Sequence, residues 1–185
     1  MAPAPGLCQV RPMTDLLRSA VLFDRDGTLN VDLDYVYRPG DLRWQPGAIE
    51  AVRLVNDLGH KAIVITNQSG VARGLFTEAD VARFHVRMSE DLAAAGGRID
   101  AWYACYHLKD APIAAYAHPD HPDRKPNPGL VLRAIAEHGL DPDQCLMVGD
   151  KPRDIEAGRR AGVRGVLYGG GRLDVCIGQA LGLRD

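Results

Sequence analysis

The stretch Ala20-Val-Leu-Phe-Asp24-Arg-Asp26-Gly-Thr28 decides the fold, because four apolar residues run directly into two acids and a glycine. A short apolar run bounded by turn residues is typical of a buried strand in a parallel sheet. Residues that follow such a strand lie at its carboxyl end, where open α/β sheets bind their ligands. The stretch therefore predicts a buried first strand with Asp24 and Asp26 at a ligand-binding edge.

Apolar strands continue to alternate with helical patterns along the chain. Strands are predicted at His60–Thr66, Ala101–Cys105, Cys145–Val148 and Gly165–Leu167, and helices at Gly47–Leu58, Thr77–Ala95, Pro128–His138 and Lys151–Ala161. Strands that alternate with helices imply right-handed crossovers and a mainly parallel sheet covered on both faces. We predict a Rossmann-like α/β fold, a three-layer α/β/α sandwich.

The length and charge of the chain limit its architecture and its partners. It has 185 residues and a formal net charge of −2. This length fits one domain, assigned to residues 20–185, after a flexible N-terminal extension at residues 1–19; both Met1 and Met13 are candidate translation starts. The near-neutral charge gives no basic field for nucleic acid, and no apolar run reaches the roughly 18 residues of a membrane span.

Cysteine usage indicates a reducing compartment. The four cysteines are far apart in the sequence and form no C-x-x-C pair, so a disulfide framework is not expected (Cys8, Cys105, Cys145, Cys176). The first residues also lack the basic and apolar regions of a signal peptide. These features predict a cytoplasmic protein.

Four polar clusters follow predicted strands or precede a predicted helix. They are Asp24-Arg-Asp26-Gly-Thr28, Thr66-Asn-Gln-Ser69, Arg124-Lys125-Pro and Gly149-Asp150-Lys-Pro-Arg-Asp154. The carboxyl ends of parallel strands share one sheet edge, so the acids of the first and last clusters would lie close together. Their mutual repulsion calls for a divalent cation, and carboxylates without His or Cys suit Mg²⁺. The hydroxyl, N–H and ammonium groups beside them would hold a phosphoryl group.

The order and content of these clusters resemble the four motifs of the haloacid dehalogenase superfamily over about residues 20–168. The resemblance implies that Asp24 is a nucleophile that forms an aspartyl-phosphate, and that Asp26 is the general acid and base. It implies a Mg²⁺ ion held by the Asp24 carboxylate, the Asp26 backbone carbonyl and Asp150. It also implies that Thr66 and Lys125 bind the phosphoryl oxygens.

The spacing between the motifs leaves no room for the cap domain that many members of that superfamily carry. The fold is therefore expected to be essentially capless, with loops that recognise the substrate, and a capless site allows a monomer. The acid at Asp26 favours a phosphatase over a dehalogenase, because only an oxygen leaving group needs its proton. Asp154 is expected to orient Lys125 or a metal-bound water, with Lys151 in a supporting role.

Three loops resemble a narrower group, the heptose-bisphosphate and histidinol-phosphate phosphatases. These loops span residues 30–36, 66–74 and 105–125. The resemblance implies substrate contacts at Asp32, Tyr35, Thr66, Asn67, Gln68, Ser69, Arg124 and Lys125. Three further cations are candidates for the rim of the site, or are solvated loop charges (Arg38, Arg73, Lys109). The implied reaction removes the 7-phosphate of D-glycero-D-manno-heptose 1,7-bisphosphate; histidinol phosphate or another small sugar phosphate is the alternative.

The third loop departs from the pattern of that group, which carries a structural Zn²⁺ on Cys-x-His followed by Cys-x-Cys. Cys105-Tyr-His107 is present, but His121 and Asp123 occupy the positions of the second cysteine pair. A zinc site of Cys105, His107 and His121 with His118 or Asp123 is chemically possible. The loss of both cysteines favours a polar loop held by packing, so zinc is not the preferred prediction.

Two other classes of function remain as alternatives. A receiver-type phosphorylation switch also places acids, a Thr and a Lys at the strand ends of a parallel sheet. A receiver has its phospho-acceptor after the third strand, where this chain has Ala104-Cys-Tyr-His107 and no acid. A catalytically silent binding module on the same fold has no support, because the nucleophile, the acid, the metal ligand and the lysine are all present.

Overall fold

The computed structural model describes residues 18–183 and places a five-stranded sheet at the centre of the molecule. The strands are β1 (Ala20–Phe23), β2 (Lys61–Asn67), β3 (Ala101–Cys105), β4 (Cys145–Gly149) and β5 (Arg164–Leu167). They lie in the order β3-β2-β1-β4-β5, and every neighbouring pair is parallel. The first strand is central, so the residues that follow it come out in the middle of the ligand-binding edge.

Five α-helices cover the two faces of this sheet in the described part of the chain. They are α1 (Ala48–Asp57), α2 (Glu78–Ala94), α3 (Gly129–His138), α4 (Pro152–Arg160) and α5 (Leu173–Ala180), with short 3₁₀ helices at Pro39–Asp41, Ala114–Tyr116 and Pro142–Gln144. Helices α1, α2 and α5 pack on one face, and α3 and α4 pack on the other. The predicted three-layer α/β/α architecture is confirmed.

The position of β1 at the centre of the sheet explains why its sequence is apolar without interruption. Successive side chains of a strand point to opposite faces of the sheet. Val21 and Phe23 pack into the core under α1, α2 and α5, whereas Ala20 and Leu22 pack into the core under α3 and α4. All four side chains are at most 1% exposed. Burial on both faces fixes the position of the strand, and with it the position of the acids that follow.

The structure corrects some of the boundaries predicted from the sequence. β2 begins at Lys61 rather than His60 and extends to Asn67, and β4 continues through Gly149. Helix α5, which follows the three glycines at Gly169–Gly171, is not predicted from the sequence. This helix has eight residues and only two buried ones, Leu173 and Ile177, which is too few to produce a helical period.

The loops that connect the motifs contain no separate cap domain within the described residues. Between Asp26 and Lys125 the chain forms the flap at residues 31–45, the loop after β2, the long loop after β3, and the strands and helices given above. The predicted extension at residues 1–19 lies outside the described residues except for Arg18 and Ser19, whose carbonyls accept backbone hydrogen bonds from the domain. No helix in the described part of the chain is long and apolar enough to cross a membrane.

Candidate active site

A polar cavity of about 270 Å³ lies at the carboxyl ends of β1 and β2. Its lining comes from the two acids after β1, the flap, the loop after β2, the segment before α3 and one residue of α4 (Asp24, Asp26, Asp32, Asp34, Tyr35, Thr66, Asn67, Gln68, Ser69, Gly70, Arg73, Arg124, Lys125, Arg153). All eight residues for which the sequence implies substrate contacts line this cavity. The cavity is therefore the candidate active site.

Lys125 lies at the centre of the buried charges. Its Nζ is 2.7 Å from Asp24 Oδ1 and 2.7 Å from Asp154 Oδ1, and it donates a hydrogen bond of 2.7 Å to the carbonyl of Ile65. The residue is only 2% exposed. A buried ammonium is stable only when its charge is compensated, and the two carboxylates supply that compensation. Asp154 thus fixes Lys125 beside Asp24.

The environment of Asp24 makes its carboxylate poorly solvated. Burial raises its pKa from 3.8 to about 6, although the nearby Lys125 ammonium opposes this rise. The Asp154 carboxylate adds to the rise through repulsion. A carboxylate held out of water next to one cation is a stronger nucleophile than a hydrated one, and it gains from a second cation.

A cluster of three acids provides a place for that second cation. Carboxylate oxygens of Asp24, Asp150 and Asp154 all lie within 4.8 Å of one another. Oδ1 of Asp150 is buried and has no hydrogen-bond partner among the described residues, whereas Oδ2 lies 2.8 Å from Lys151 Nζ. An orphaned carboxylate oxygen in an all-oxygen donor set fits a hard cation such as Mg²⁺.

Gly27 allows this cluster to form. Its φ is +86°, in the left-handed region that glycine adopts without strain. A Cβ at this position would lie 2.4 Å from Asp150 Oδ2, far inside contact distance. Any larger residue would push Asp150 away from Asp24, so the glycine between the acids and Thr28 is required by close approach as well as by backbone conformation.

The end of β2 and the loop that follows it connect the groups expected to bind phosphate. Asn67 donates from Nδ2 to the carbonyl of Lys125 and accepts from its N–H, both at 3.1 Å, so it fixes that backbone. Gln68 Nε2 donates to Asp26 Oδ2 at 2.7 Å and to Thr66 Oγ1 at 2.9 Å. These two amides therefore hold the Lys125 backbone and the Asp26 and Thr66 side chains in place in addition to lining the cavity.

The flap presents Asp32 and Tyr35 to the cavity from a strained turn. Asp34 and Tyr35 have φ values of 57° and 58°, which non-glycine residues adopt at a cost of order 1–3 kcal/mol each. Oδ1 of Asp32 accepts a hydrogen bond of 3.2 Å from the N–H of Asp34, which helps to hold the turn. Strain of this kind persists where the surrounding structure requires a particular presentation of side chains.

Three arginines, Arg73, Arg124 and Arg153, line the same cavity as the acids. Arg124 is half-buried and donates from Nη1 to the carbonyl of His107 at 3.0 Å. Burial lowers the pKa of Arg124, and the positive charges of Arg153 and Arg73 lower it further. These arginines therefore repel one another, and an anion between them would relieve that repulsion. The other candidate rim cations, Arg38 and Lys109, do not line the cavity.

The candidate zinc ligands gather in part. Ligand atoms of Cys105, His107 and His121 lie within 4.8 Å of one another, and the two imidazole rings stack at 3.8 Å between centroids. Neither His118 nor Asp123 belongs to this group. The Asp123 carboxylate instead lies 3.7 Å from Arg133 Nη1. The backbone N–H of Asp123 donates to His121 Nδ1 at 3.1 Å.

Comparison with known proteins identifies the family to which this chain belongs. A model of HAD-hydrolase-like proteins matches residues 123–181. A D-glycero-β-D-manno-heptose-1,7-bisphosphate 7-phosphatase from Rhodopseudomonas palustris is 39% identical over 165 residues, which cover 89% of this chain and 91% of that protein. The chain belongs to the haloacid dehalogenase (HAD) superfamily. It is a hydrolase of that superfamily, and the resemblance inferred from the four motifs is confirmed.

Two other relatives agree with this assignment. The enzyme of the same name from Pasteurella multocida is 37% identical, over 82% of this chain and 81% of that protein. The crystal structure of D,D-heptose 1,7-bisphosphate phosphatase from B. bronchiseptica, complexed with magnesium and phosphate, has a TM-score of 0.73 and 32% identity. It covers 87% of this chain and 86% of that one. The likeness to these relatives therefore extends over most of the chain, and the fold is shared with the crystal structure.

Sequence reasoning missed three contributors to this HAD site. Asp34 and Arg153 line the cavity, and Arg25 lies fully buried directly behind the acids. Arg153 follows Asp150 closely in the sequence, so its place after β4 was a signal that could have been used. Nothing in the sequence indicates that Arg25 turns inward, because an arginine between two acids is equally compatible with a solvated loop.

His85 of α2, behind the HAD site, makes stability depend on pH. Burial lowers its pKa from 6.5 to about 3, helped by Arg25 and opposed by Asp26. The folded state keeps the ring neutral while the unfolded chain binds a proton below pH 6.5, so stability is lost as the pH falls. The free energy of unfolding therefore falls between pH 7 and pH 5, and we expect His85→Gln to remove roughly 2 kcal/mol of that fall. Urea unfolding at the two pH values measures the difference. An unchanged slope would contradict this assignment.

Proposed function

We propose that the protein is a Mg²⁺-dependent phosphatase that removes the 7-phosphate of D-glycero-D-manno-heptose 1,7-bisphosphate. The observation that carries this proposal is a cavity lined both by the buried Asp24–Lys125 pair and by three arginines, Arg73, Arg124 and Arg153. One phosphate would bind at the pair, and a second anionic group of the same small molecule would bind at the arginines. The identity of the proposed sugar is taken from the names of the relatives.

In the first step, an Asp24 carboxylate oxygen attacks phosphorus in line and forms an aspartyl-phosphate. The bond between phosphorus and the ester oxygen breaks, and the leaving oxygen takes a proton from the Asp26 carboxyl group. Thr66 and Lys125 hold phosphoryl oxygens and offset the negative charge that develops on them.

In the second step, a water molecule attacks the phosphorus of the aspartyl-phosphate. Asp26, now a carboxylate, takes a proton from this water as the new P–O bond forms. The bond between phosphorus and the Asp24 oxygen breaks, which releases inorganic phosphate and regenerates the nucleophile. One carboxyl group therefore serves both steps, first as an acid and then as a base.

The residues that would hold the metal are Asp24 and Asp150 through their carboxylates and Asp26 through its backbone carbonyl, with Asp154 and Lys151 in support. When bound, Mg²⁺ supplies positive charge that offsets the nucleophile and the phosphoryl oxygens. Its removal should abolish turnover. We therefore expect excess EDTA to stop phosphate release and added Mg²⁺ to restore it; turnover in EDTA would contradict the proposed metal requirement.

The deciding experiment for the substrate is a comparison of kcat/KM on heptose 1,7-bisphosphate, other sugar phosphates and histidinol phosphate. We expect the heptose bisphosphate to be preferred, with ³¹P NMR showing that the 1-phosphate remains on the sugar. Preference for histidinol phosphate would select the alternative substrate. Stable phosphorylation of Asp24 without phosphate release from any ester would support a phosphorylation switch instead.

Arg124 is proposed to bind the phosphate that remains on the sugar, because its planar fork matches a phosphate and faces the cavity. We expect Arg124→Gln to lower kcat/KM about tenfold or more for the bisphosphate, since a charged hydrogen bond is lost, but to change it little for the 7-monophosphate. Arg53→Gln, on the exposed surface of α1, is the matched control. Equal losses on both substrates would argue against this role for Arg124.

The loop that carries Arg124 is proposed to be held by packing rather than by zinc. Burial raises the pKa of the Cys105 thiol, which favours the protonated form over a metal-binding thiolate. The loop already anchors Arg124 through the carbonyl of His107. Metal analysis of protein purified without added zinc should find less than stoichiometric zinc; one zinc per chain would overturn this proposal.

We also propose that the protein acts as a monomer in the cytoplasm. Every residue assigned to the reaction comes from one chain, so the cavity needs no residue from a second copy. The described cysteines, Cys105, Cys145 and Cys176, are all free thiols, which suits a reducing compartment. Light scattering of the purified protein tests the oligomeric state.

A further inference from the structure

Arg25 is the largest of the fully buried side chains among the described residues, and the mechanism proposed above does not use it. It stands between Asp24 and Asp26 in the sequence and is 0% exposed. Burial of an unpaired guanidinium is strongly unfavourable, so its partners show what the side chain holds. Those partners are the general acid, the flap, the loop after β2 and helix α2.

The contact with the general acid is a fork on both carboxylate oxygens. Arg25 Nε lies 3.2 Å from Asp26 Oδ1, and Nη2 lies 3.0 Å from Oδ1 and 2.9 Å from Oδ2. A planar guanidinium that meets both oxygens fixes the plane of the carboxylate as well as its position. The Asp26 side chain nevertheless remains 21% exposed, so it is held from behind and still reaches the cavity.

The same guanidinium connects the other walls of the site. Nη2 donates to the carbonyl of Val36 in the flap at 2.9 Å and to Gln68 Oε1 at 3.0 Å. The amide of Gln68 in turn bonds Asp26 and Thr66, as described above. Arg25 therefore links the general acid to the flap and to a proposed phosphate ligand.

Helix α2 holds the guanidinium from the side away from the cavity. The ring of Phe84 lies under it, 4.7 Å from the guanidinium carbon, and His85 Nε2 is 3.4 Å from Nη1. His85 itself stacks on Trp102 at 4.2 Å. The arginine is thus fixed by the core, and its orientation is passed on to Asp26.

We propose that Arg25 is a positioning residue that holds the Asp26 carboxyl group at the leaving oxygen of the substrate. This inference rests on the proposed phosphatase function and on the acid role of Asp26. Arg25 does not line the cavity, so it acts on the substrate only through Asp26. Its effect is therefore largest for leaving groups that need a proton, such as a sugar alkoxide, and small for those that depart without one, such as p-nitrophenolate.

The test measures kcat/KM of Arg25→Met and Arg25→Lys on a sugar phosphate and on p-nitrophenyl phosphate. kcat/KM reports steps only up to the first irreversible step, so Asp26's later role as a base does not obscure the comparison. We expect Arg25→Met to lower kcat/KM about 100-fold on the sugar phosphate, which is the size of effect that a misplaced catalytic group produces. On the aryl phosphate kcat/KM should fall by less than about fivefold. Arg25→Lys, which keeps one contact, should lie between Arg25→Met and the wild type.

Met88→Ala is the control for a purely structural role, because it loosens the packing of α2 in the core and Met88 is not among the residues shown to contact Arg25. It should lower both activities by the same factor. Equal losses for Arg25→Met on both substrates, or no loss, would overturn the inference. Failure of the wild-type protein on heptose bisphosphate but not on another sugar phosphate would reject only the proposed substrate. Failure on every sugar phosphate would reject the proposed function and this inference together.

Discussion

Asp24→Asn is expected to reduce phosphate release from any ester by on the order of 10⁴-fold or more while the protein stays folded. An amide has no anionic oxygen to attack phosphorus, so the aspartyl-phosphate cannot form. Asn is nearly the same size as Asp, and Asp24 is buried at the end of the central strand, so the backbone has no reason to move. The measurement is phosphate release under saturating Mg²⁺, with thermal unfolding as the check on folding.

The matched control for this change is Asp57→Asn, at an exposed position in the last turn of α1. It removes the same charge without touching the cavity, and it should leave turnover unchanged. A second comparison separates the two acids, because Asp26→Asn leaves the nucleophile intact. Asp26→Asn should retain part of its activity on p-nitrophenyl phosphate. Comparable turnover by Asp24→Asn and the wild type would reject Asp24 as the nucleophile.

The features that the sequence predicts well are those set by the ends of buried strands. The continuous apolar run of β1 requires burial on both faces, and that burial fixes where Asp24 and Asp26 emerge. Thr66 lies at the carboxyl end of β2, and Asp150 follows β4, for the same reason. Parallel strands bring all of these positions to one edge, so the central charges of the site follow from periodicity and topology.

The features that the sequence does not predict depend on where long side chains turn. Arg25 and Arg153 both stand beside an acid in the sequence, yet one is fully buried and the other lines the cavity from an exposed position. The difference arises from the aromatic ring of Phe84 and the flap carbonyl of Val36, which come from distant parts of the chain. Contacts of this kind can be identified only from the three-dimensional arrangement of the loops.

Lys125→Met is expected to lower both stability and catalytic activity. Among the described residues, Lys125 is the only cation that forms ion pairs with both Asp24 and Asp154. Its removal leaves two buried carboxylates that repel each other, which costs about 3–5 kcal/mol for a broken buried pair. The pKa of Asp24 would rise further without the ammonium, so less of the nucleophile would be ionised at neutral pH. Turnover should therefore fall by about 100-fold or more, since a phosphoryl ligand is also lost.

A double variant separates these two effects. Asp154→Asn in the Lys125→Met background removes one of the repelling charges, so it should recover part of the lost stability, measured by urea unfolding in EDTA. It should recover little activity, because the missing ammonium is not replaced at the phosphoryl oxygens. Mg²⁺ should stabilise Lys125→Met more than the wild type, since a cation beside Asp24 then offsets an uncompensated charge. Recovery of full activity in the double variant would mean that Lys125 serves only to neutralise the acids and does not bind the substrate.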